Sequence, residues 1–316
     1  MPARLEAKNS PFHNPKWVES VKKIYSLRVV TVKGEHSPTS FLLIERFGKK
    51  LVSLPYCDYG GPEKDGVMDF EYLDGEAKDL KVDYIEVRDP GKELEKQLLE
   101  NGFSAGKEYD CFSIKLGKDK EWFWESLDKK VRNSIRKAEK EGLKVVQSFD
   151  LDAFYRIYRK TMKRHGTPHH PKKLFREILQ KCRGKIFFAE IEGKKVAVSL
   201  FLPSGRGLYY WVNASERSYM HLNPNDLIMH EACLWGIENG FESIELGRSM
   251  SDRGTYLFKK KWATDERRMG YFFKFYKKTS MPDEVSKKYT ALRSIWTLSP
   301  AFMTNFLGPR IRKYFP

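Results

Sequence analysis

The chain has 316 residues, of which 41% are hydrophobic and 14% aromatic, and this composition excludes a disordered, collagen-like or coiled-coil protein. The length favours two domains, because a single core stops growing at roughly 250–300 residues. The formal charge is +16, and the excess lies in residues 156–185, which carry +10, and residues 248–278, which carry +7. Two basic segments in an otherwise nearly neutral chain predict an anionic partner.

The predicted elements alternate between strands and helices along the whole chain, which is typical of α/β proteins. In the first part, helices are predicted at 14–22, 67–77, 92–101 and 120–141, and strands at 27–32, 41–45, 51–54, 82–87 and 112–116. In the second part, helices are predicted at 152–164, 172–182, 225–239 and 283–297, and strands at 186–191, 196–202, 207–213, 243–246 and 270–276.

Two segments of the chain resemble each other. Residues 41–55 and 187–203 both run strand, Gly-Lys-Lys turn, strand, proline, which suggests a tandem duplication. We therefore predict two similar lobes: residues 1–142, ending in the helix 120–141, and residues 143–316, ending in a basic amphipathic tail.

Compartment signals favour a reduced, cytoplasmic protein. The sequence starts without the apolar stretch of a signal peptide and has no run of about 20 apolar residues. Its four cysteines lie far apart, so neither a disulfide framework nor a thiolate zinc site is expected. Two interpretations of the aromatic and basic tail 295–313 stay open: packing on the protein body, or peripheral contact with the inner face of the membrane.

One pair of arginines lies on the predicted helix 120–141. Arg132 and Arg136 are four residues apart, so their guanidinium groups share a helix face. The pair predicts either a phosphate clamp for a substrate or a solvated face paired with Glu139 and Glu141, and both interpretations stay open.

Histidines cluster in the segment 164–171. Gly166 and Pro168 break the helix there, and their position removes the i, i+4 spacing of helical metal ligands. We therefore expect no metal, and His165 becomes a candidate general base.

Farther along, Pro224 begins a helix whose first turn, with Asn223 and Asn225, is a candidate anion-binding site or an ordinary cap.

The segment with the most candidate catalytic and substrate-binding residues follows the predicted strand 243–246. A loop of Gly, Arg, Ser and Asp leads into a basic aromatic helix, and such strand ends hold ligands in open α/β sheets. We assign catalytic roles to Arg248, Asp252 and Lys259. The residues expected to contact substrate through charge or stacking are Arg253, Tyr256, Phe258 and Trp262. A second interpretation stays open, in which Phe258 and Trp262 lie in the core and the three lysines extend to solvent.

Five segments in this order, 53–61, 132–142, 164–168, 224–225 and 247–262, resemble the FemAB-like family, nearest the members found beside exopolysaccharide and protein-sorting systems. The resemblance implies an α/β fold of two tandem GNAT-like lobes, each a mixed sheet flanked by helices. It also implies substrate contacts for Tyr56, Asp58 and Tyr59. Lys259 would stabilise the carbonyl oxygen as it becomes an oxyanion, or hold a substrate carboxylate.

Three functions follow from these patterns. The first is an acyltransferase that moves an aminoacyl group from aminoacyl-tRNA to an amine of a cell-surface polymer precursor, as the resemblance implies. The second is an N-acyltransferase that uses acyl-CoA on an amino sugar or peptide. The glycine-rich coenzyme A loop of GNAT enzymes is missing, which argues against the second and leaves no cofactor expected. The third is a non-catalytic RNA-binding or membrane-surface accessory protein.

Overall fold

The computed structural model describes residues 10–46, 48–61, 67–89, 91–250, 254–277 and 287–315. The chain divides into two compact units. The first comprises Met1–Tyr109, Arg268–Thr290 and Pro309–Pro316, and the second comprises Asp110–Arg267 and Ala291–Gly308. The division therefore does not fall at residue 142, where the sequence analysis placed it.

The first unit alternates helices and strands as the sequence predicts. Its elements are α1 (Pro15–Tyr25), β1 (Arg28–Val32), β2 (Thr39–Ile44), β3 (Lys50–Ser53), α2 (Phe70–Asp79), β4 (Tyr84–Arg88) and α3 (Lys92–Glu100). Strands β1, β2 and β3 pair antiparallel in that order, and β3 pairs parallel with β4. The unit's core forms where alternating apolar residues of these strands meet the helices, as at Phe41, Ile85 and Leu98.

Two long strands contribute to both units. They are β5 (Ser104–Lys115) and β11 (Asp265–Phe275), and the unit boundary falls inside each of them. Within the first unit, β11 pairs antiparallel with β4 from Tyr271 to Phe275. Gly106 of β5 lies so close to Phe273 that a Cβ atom there would be 2.4 Å from its ring, which explains a glycine inside a strand.

The second unit contains most of the chain's helices. They are α4 (Lys120–Ser126), α5 (Lys129–Lys140), α6 (Leu151–Arg164), α7 (Lys172–Lys181), α8 (Pro224–Glu238), α9 (Gly254–Trp262), α10 (Lys287–Leu298) and α11 (Ala301–Arg312), the last two extending into the first unit. Its further strands are β6 (Lys144–Gln147), β7 (Lys185–Ile191), β8 (Lys194–Ser204), β9 (Gly207–Ser215) and β10 (Ser243–Ser249).

The sheet of the second unit is mixed. Its strands follow the order β5, β10, β9, β8, β7, β6. Only β9 and β10 among these pairs run parallel. Helix α8 packs on this sheet and is buried on several sides, which suits its almost continuous apolar sequence.

Three elements differ from the prediction. The single helix expected at 120–141 is two helices, because Leu127 is extended and buried and the Asp128 carboxylate caps α5 by accepting the Lys130 backbone N–H at 2.6 Å. Strand β6 and helix α11 were not predicted. The helix expected at 283–297 is described only from Lys287, and 283–286 lie outside the described residues.

Both predicted hairpins are present. Strands β2 and β3 pair antiparallel, as do β7 and β8. In the described part of the chain, every helix is too short or too polar to cross a membrane.

Candidate active site

Strands β9 and β10 separate within the second unit. They pair parallel only where Ser243–Glu245 faces Gly207–Tyr209. Beyond that point β9 continues beside β8, whereas β10 continues beside β5. The diverging carboxyl ends of two parallel strands leave an opening, and such openings hold ligands in α/β sheets.

A bulge in β10 accompanies this separation. The register of β10 against β5 shifts between Glu245 and Gly247, and Gly247 has a φ of 71°. Only glycine adopts such a conformation at low cost, so the sequence itself specifies the bend. The Glu245 carboxylate accepts the Gly247 backbone N–H at 3.2 Å and holds the bulge.

Lys259 lies at the end of β10. Its Nζ donates a hydrogen bond to the backbone carbonyl oxygen of Arg248 at 2.7 Å, so two of the residues predicted to act together are in contact. Asp252 and Arg253, predicted for the same cluster, lie outside the described residues.

Helix α9 is anchored to the first turn of α8 through a buried carboxylate. Asp226 accepts the Trp262 indole N–H at 2.8 Å and pairs with the Lys261 ammonium at 2.7 Å. Trp262 is therefore a buried anchor. Its prediction as a stacking surface for substrate is wrong, since its ring is covered by the core. The role of Asp226 was missed, although its place in a helix's first turn signals a stabilised carboxylate.

Two aromatic residues of α9 each contact a lysine of the same helix. The Tyr256 ring contacts Phe112 edge-on at a centroid distance of 5.3 Å, and its hydroxyl accepts the Lys260 ammonium at 3.1 Å. This hydrogen bond is the main reason that the pKa of Lys260 is raised. The Lys261 ammonium lies 5.4 Å from the centre of the Phe258 ring, which forms a cation–π contact.

The two asparagines at the start of α8 differ in their contacts. Asn223 adopts a left-handed conformation, with φ at 59°, and its side chain makes no capping hydrogen bond, so the predicted side-chain cap is wrong. Helix α8 does begin at Pro224, as predicted. The side-chain Oδ1 of Asn225 accepts a hydrogen bond from the Ser215 hydroxyl at 2.7 Å and thereby joins α8 to the end of β9.

Charges at the end of β9 are largely balanced by one carboxylate. Glu216 pairs with Arg156 at 2.6 Å and with Lys160 at 2.9 Å. Burial raises the pKa of Glu216, but Lys160 and Arg156 together lower it by more. The pKa of this carboxyl group is therefore below its usual range. Arg164 donates to the Ser215 carbonyl oxygen at 3.0 Å. Part of the basic segment 156–185 therefore serves the fold.

His165 ends helix α6. Burial, followed by the nearby charges of Arg164 and Arg293, lowers its pKa, so the imidazole is neutral at neutral pH and able to accept a proton. Its backbone carbonyl oxygen accepts two N–H groups of Arg293, at 2.8 and 3.3 Å. No cluster of three metal-ligating side chains occurs among the described residues.

The two arginines of the predicted phosphate clamp on α5 contact helix α4. Arg132 donates to the carbonyl oxygens of Trp124 and Glu125, at 3.3 and 2.9 Å, which satisfies the C-terminal end of α4. The Arg136 guanidinium stacks over the Trp124 ring at 5.3 Å. Both arginines therefore contact α4, and their role as a phosphate clamp stays a prediction. A cavity of about 310 Å³ beside them is lined by Lys120, Glu121, Trp124, Glu125, His230 and Leu234, none of which is on β9, β10 or α9.

In the first unit, the predicted tyrosine segment is buried. Tyr56 has a φ of 69°, donates its hydroxyl to the Lys313 carbonyl oxygen, and lies under the Arg312 guanidinium at 5.4 Å. Burial raises the pKa of Tyr56 well above its ordinary value. The Asp58 carbonyl oxygen accepts the Tyr271 hydroxyl at 3.0 Å, and Tyr59 is covered. The Tyr56 and Tyr59 side chains are therefore buried within the unit, and Asp58 contacts Tyr271 through its backbone.

Comparisons with known proteins agree with this architecture. The acetyltransferase (GNAT) domain family matches residues 126–260, which lie inside the second unit. A UDP-N-acetylmuramoylpentapeptide-lysine N(6)-alanyltransferase of Weissella viridescens is 25% identical over 145 residues. That match covers 43% of this chain and 43% of the relative, so it spans less than half of the relative's length.

Solved structures show the same fold over more of the chain. The crystal structure of FemX superposes with a TM-score of 0.60 at 16% identity, covering 83% of this chain and 91% of FemX. The structure of L-PGS from Bacillus licheniformis gives a TM-score of 0.58 at 14% identity, covering 92% and 96% of the two chains.

A third structure supports the same conclusion. The C-terminal domain of a putative lysylphosphatidylglycerol synthetase from Agrobacterium fabrum gives a TM-score of 0.61 at 12% identity, covering 84% of this chain and 87% of that domain. The fold is therefore α/β and GNAT-like, an acyltransferase fold. The comparisons confirm the resemblance of this chain to the FemAB-like family.

Proposed function

We propose that this chain is an aminoacyltransferase that moves an aminoacyl group from aminoacyl-tRNA to an amine of a cell-surface polymer precursor. The observation that carries the proposal is the opening between β9 and β10, inside the segment matched by the GNAT domain, with the Lys259 ammonium fixed at its β10 side. The alanyl group in the name of the Weissella relative supports an aminoacyl donor.

The chemistry needs a place for one carbonyl group and one amine. The acceptor amine attacks the carbonyl carbon of the aminoacyl ester, a C–N bond forms, and the ester C–O bond breaks. The ribose hydroxyl leaves with a proton that the amine has given up. Negative charge develops on the carbonyl oxygen in between, and a fixed cation such as Lys259 stabilises it more than it stabilises the uncharged ester.

Positive charge on α9 suits an RNA donor. Lys259, Lys260 and Lys261 follow one another, and two of them lie against aromatic rings. Cations beside aromatic faces bind both the phosphates and the bases of a nucleic-acid end. Arg248 and His165 remain our candidates for substrate contact and proton acceptance, and Asp252 and Arg253 remain candidates from the sequence.

A second function competes with this one. The GNAT domain match favours an acyl-CoA-dependent N-acyltransferase on an amino sugar or peptide, which would use the same opening for a thioester. The third candidate, a non-catalytic RNA-binding or membrane-surface accessory protein, has no need of a fixed cation beside a strand opening.

Transfer assays with two donors separate these functions. We would incubate the full chain with an amine-bearing, lipid-free precursor and either charged tRNA or acetyl-CoA, with thermal stability measured for each donor. The proposal predicts transfer and stabilisation with aminoacyl-tRNA. Transfer or stabilisation with acetyl-CoA alone overturns it in favour of the second function, and tRNA binding without transfer to any amine favours the third.

A further inference from the structure

Large apolar side chains are concentrated on one exposed part of the second unit. Thirteen large hydrophobic side chains are exposed in the described part of the chain, and six of them lie between residues 292 and 306. Single exposed apolar residues are ordinary, whereas contiguous ones mark a binding surface. We call these six the tail surface: Leu292, Ile295, Leu298, Phe302, Met303 and Phe306.

Helix α11 faces its apolar side away from the protein. Phe302 and Phe306, one turn apart, are 74% and 60% exposed, whereas Thr304 and Gly308 are buried. A Cβ atom at Gly308 would lie 2.8 Å from the His169 ring, so this helix approaches the unit through its smallest residues. Its orientation is the reverse of that in an ordinary surface helix, which buries its large apolar residues.

Helix α10 bears the other half of the tail surface. Leu298, at 84% exposure, follows Leu292 and Ile295 at intervals of three residues. The helix is held in this orientation, because Arg293 donates two hydrogen bonds to the His165 carbonyl oxygen and contacts Gly166 closely. Exposure of the apolar side chains is therefore fixed by specific contacts.

The charge of this segment identifies the partner. Residues 287–315 contain six Lys or Arg and no Asp or Glu. Exposed aromatic and aliphatic side chains that insert among acyl chains, with cations at their ends, are the features that hold helices in the interface of an anionic bilayer. A second copy of this chain would bring an equally basic segment against this one, and like charges oppose that pairing.

We propose that the tail surface docks on a bilayer that contains anionic lipid, with α10 and α11 in the plane of the interface. The docking is independent of the transfer chemistry, since none of the six residues is on β9, β10 or α9. It places the proposed enzyme where a lipid-linked acceptor would be found.

Vesicle co-sedimentation with the full chain tests this proposal. We would use vesicles of phosphatidylcholine alone and vesicles with a third of phosphatidylglycerol, with neither donor nor acceptor present. The double variant Phe302→Ser/Phe306→Ser is compared with Phe149→Ser, which removes an exposed phenylalanine that is not part of the tail surface. Thermal unfolding of each variant checks that the fold is kept, which we expect because all three side chains are exposed.

We expect binding to the anionic vesicles only, reduced at least about tenfold by the double variant and unchanged by Phe149→Ser. Arg310→Gln should weaken binding to the anionic vesicles less, and added salt should weaken it further. Equal loss with Phe149→Ser, or no binding to either vesicle, overturns the proposal. Concentration-dependent dimerisation that the double variant abolishes, without vesicle binding, overturns it in favour of a second copy as the partner.

Discussion

Segments 53–61 and 247–262 share residue types, since each contains tyrosine, glycine and charged residues, but the structure gives them opposite surroundings. In the first, Tyr56 and Tyr59 are buried, and the Tyr56 hydroxyl is bonded to the Lys313 carbonyl oxygen. In the second, Lys259 is held at the end of a strand that has parted from its neighbour. Residue type alone did not separate a structural segment from a candidate site, whereas strand pairing did.

The largest expected effect concerns the anchor of α9. Trp262→Ala removes a buried aromatic side chain and leaves the Asp226 carboxylate without its indole partner, so we expect the unfolding free energy of the second unit to fall by about 3–5 kcal/mol. Urea denaturation followed by circular dichroism measures it. If the variant were fully stable but slow in transfer, Trp262 would be a substrate contact after all.

The next prediction tests whether segment 247–262 takes part in the transfer reaction. Lys259→Ala should lower the transfer rate about 100-fold, since a fixed charge beside a developing oxyanion contributes on this scale. The unfolding free energy should change by no more than about 1 kcal/mol. Lys260→Ala, which loses a neighbouring cation bound to the Tyr256 hydroxyl, is the matched control. Equal losses in the two variants would mean that overall charge, and not position, matters.

A smaller effect is expected in segment 53–61. Tyr56→Phe removes a buried hydroxyl and leaves the Lys313 carbonyl oxygen without that donor, so we expect a loss of about 1–2 kcal/mol in the unfolding free energy. Transfer should proceed at the normal rate. A variant with normal stability and a tenfold lower rate would show that this segment contacts substrate and would remove the contrast between the two segments.

The smallest effect is a dependence of stability on pH. Burial lowers the pKa of His165 and of His169, so both are neutral in the folded protein. The stability that the neutral histidines contribute is complete above the unfolded pKa near 6.5 and is lost as the pH falls below it. The loss is at most about 1.4 kcal/mol per pH unit for the buried His169, and it is smaller for His165, whose side chain is more exposed to solvent. Chemical denaturation at pH 7.5, 6.5 and 5.5 tests this, and His169→Gln should flatten the profile.

Most helices and strands could be predicted from local sequence patterns. The predicted helix 92–101 is present as α3 and is followed by Gly102, which has a φ of 81°, and α8 begins at Pro224 as predicted. The break at Leu127 was missed because the charged residues on either side of it favour helix, and the residue's burial depends on contacts distant in sequence. Helix α11 was missed because its apolar face does not point into the core.

Fewer contacts of the candidate active site could be predicted from local sequence patterns. The grouping of Arg248 with Lys259 could be predicted, because both flank one loop at a strand end. The hydrogen bond from Arg132 to a carbonyl oxygen of α4 could not be predicted, because it depends on the break that divides the predicted helix. Likewise, Asp226 and Trp262 are 36 residues apart, and no spacing rule joins them.

The most direct test of the central claim is a crystal structure of the chain with an adenosine whose ribose carries an aminoacyl group through a stable amide bond. We predict that its amide carbonyl lies in the opening between β9 and β10, within hydrogen-bond distance of the Lys259 ammonium. Binding at segment 53–61, or in the cavity beside Trp124 with the opening empty, would contradict the account.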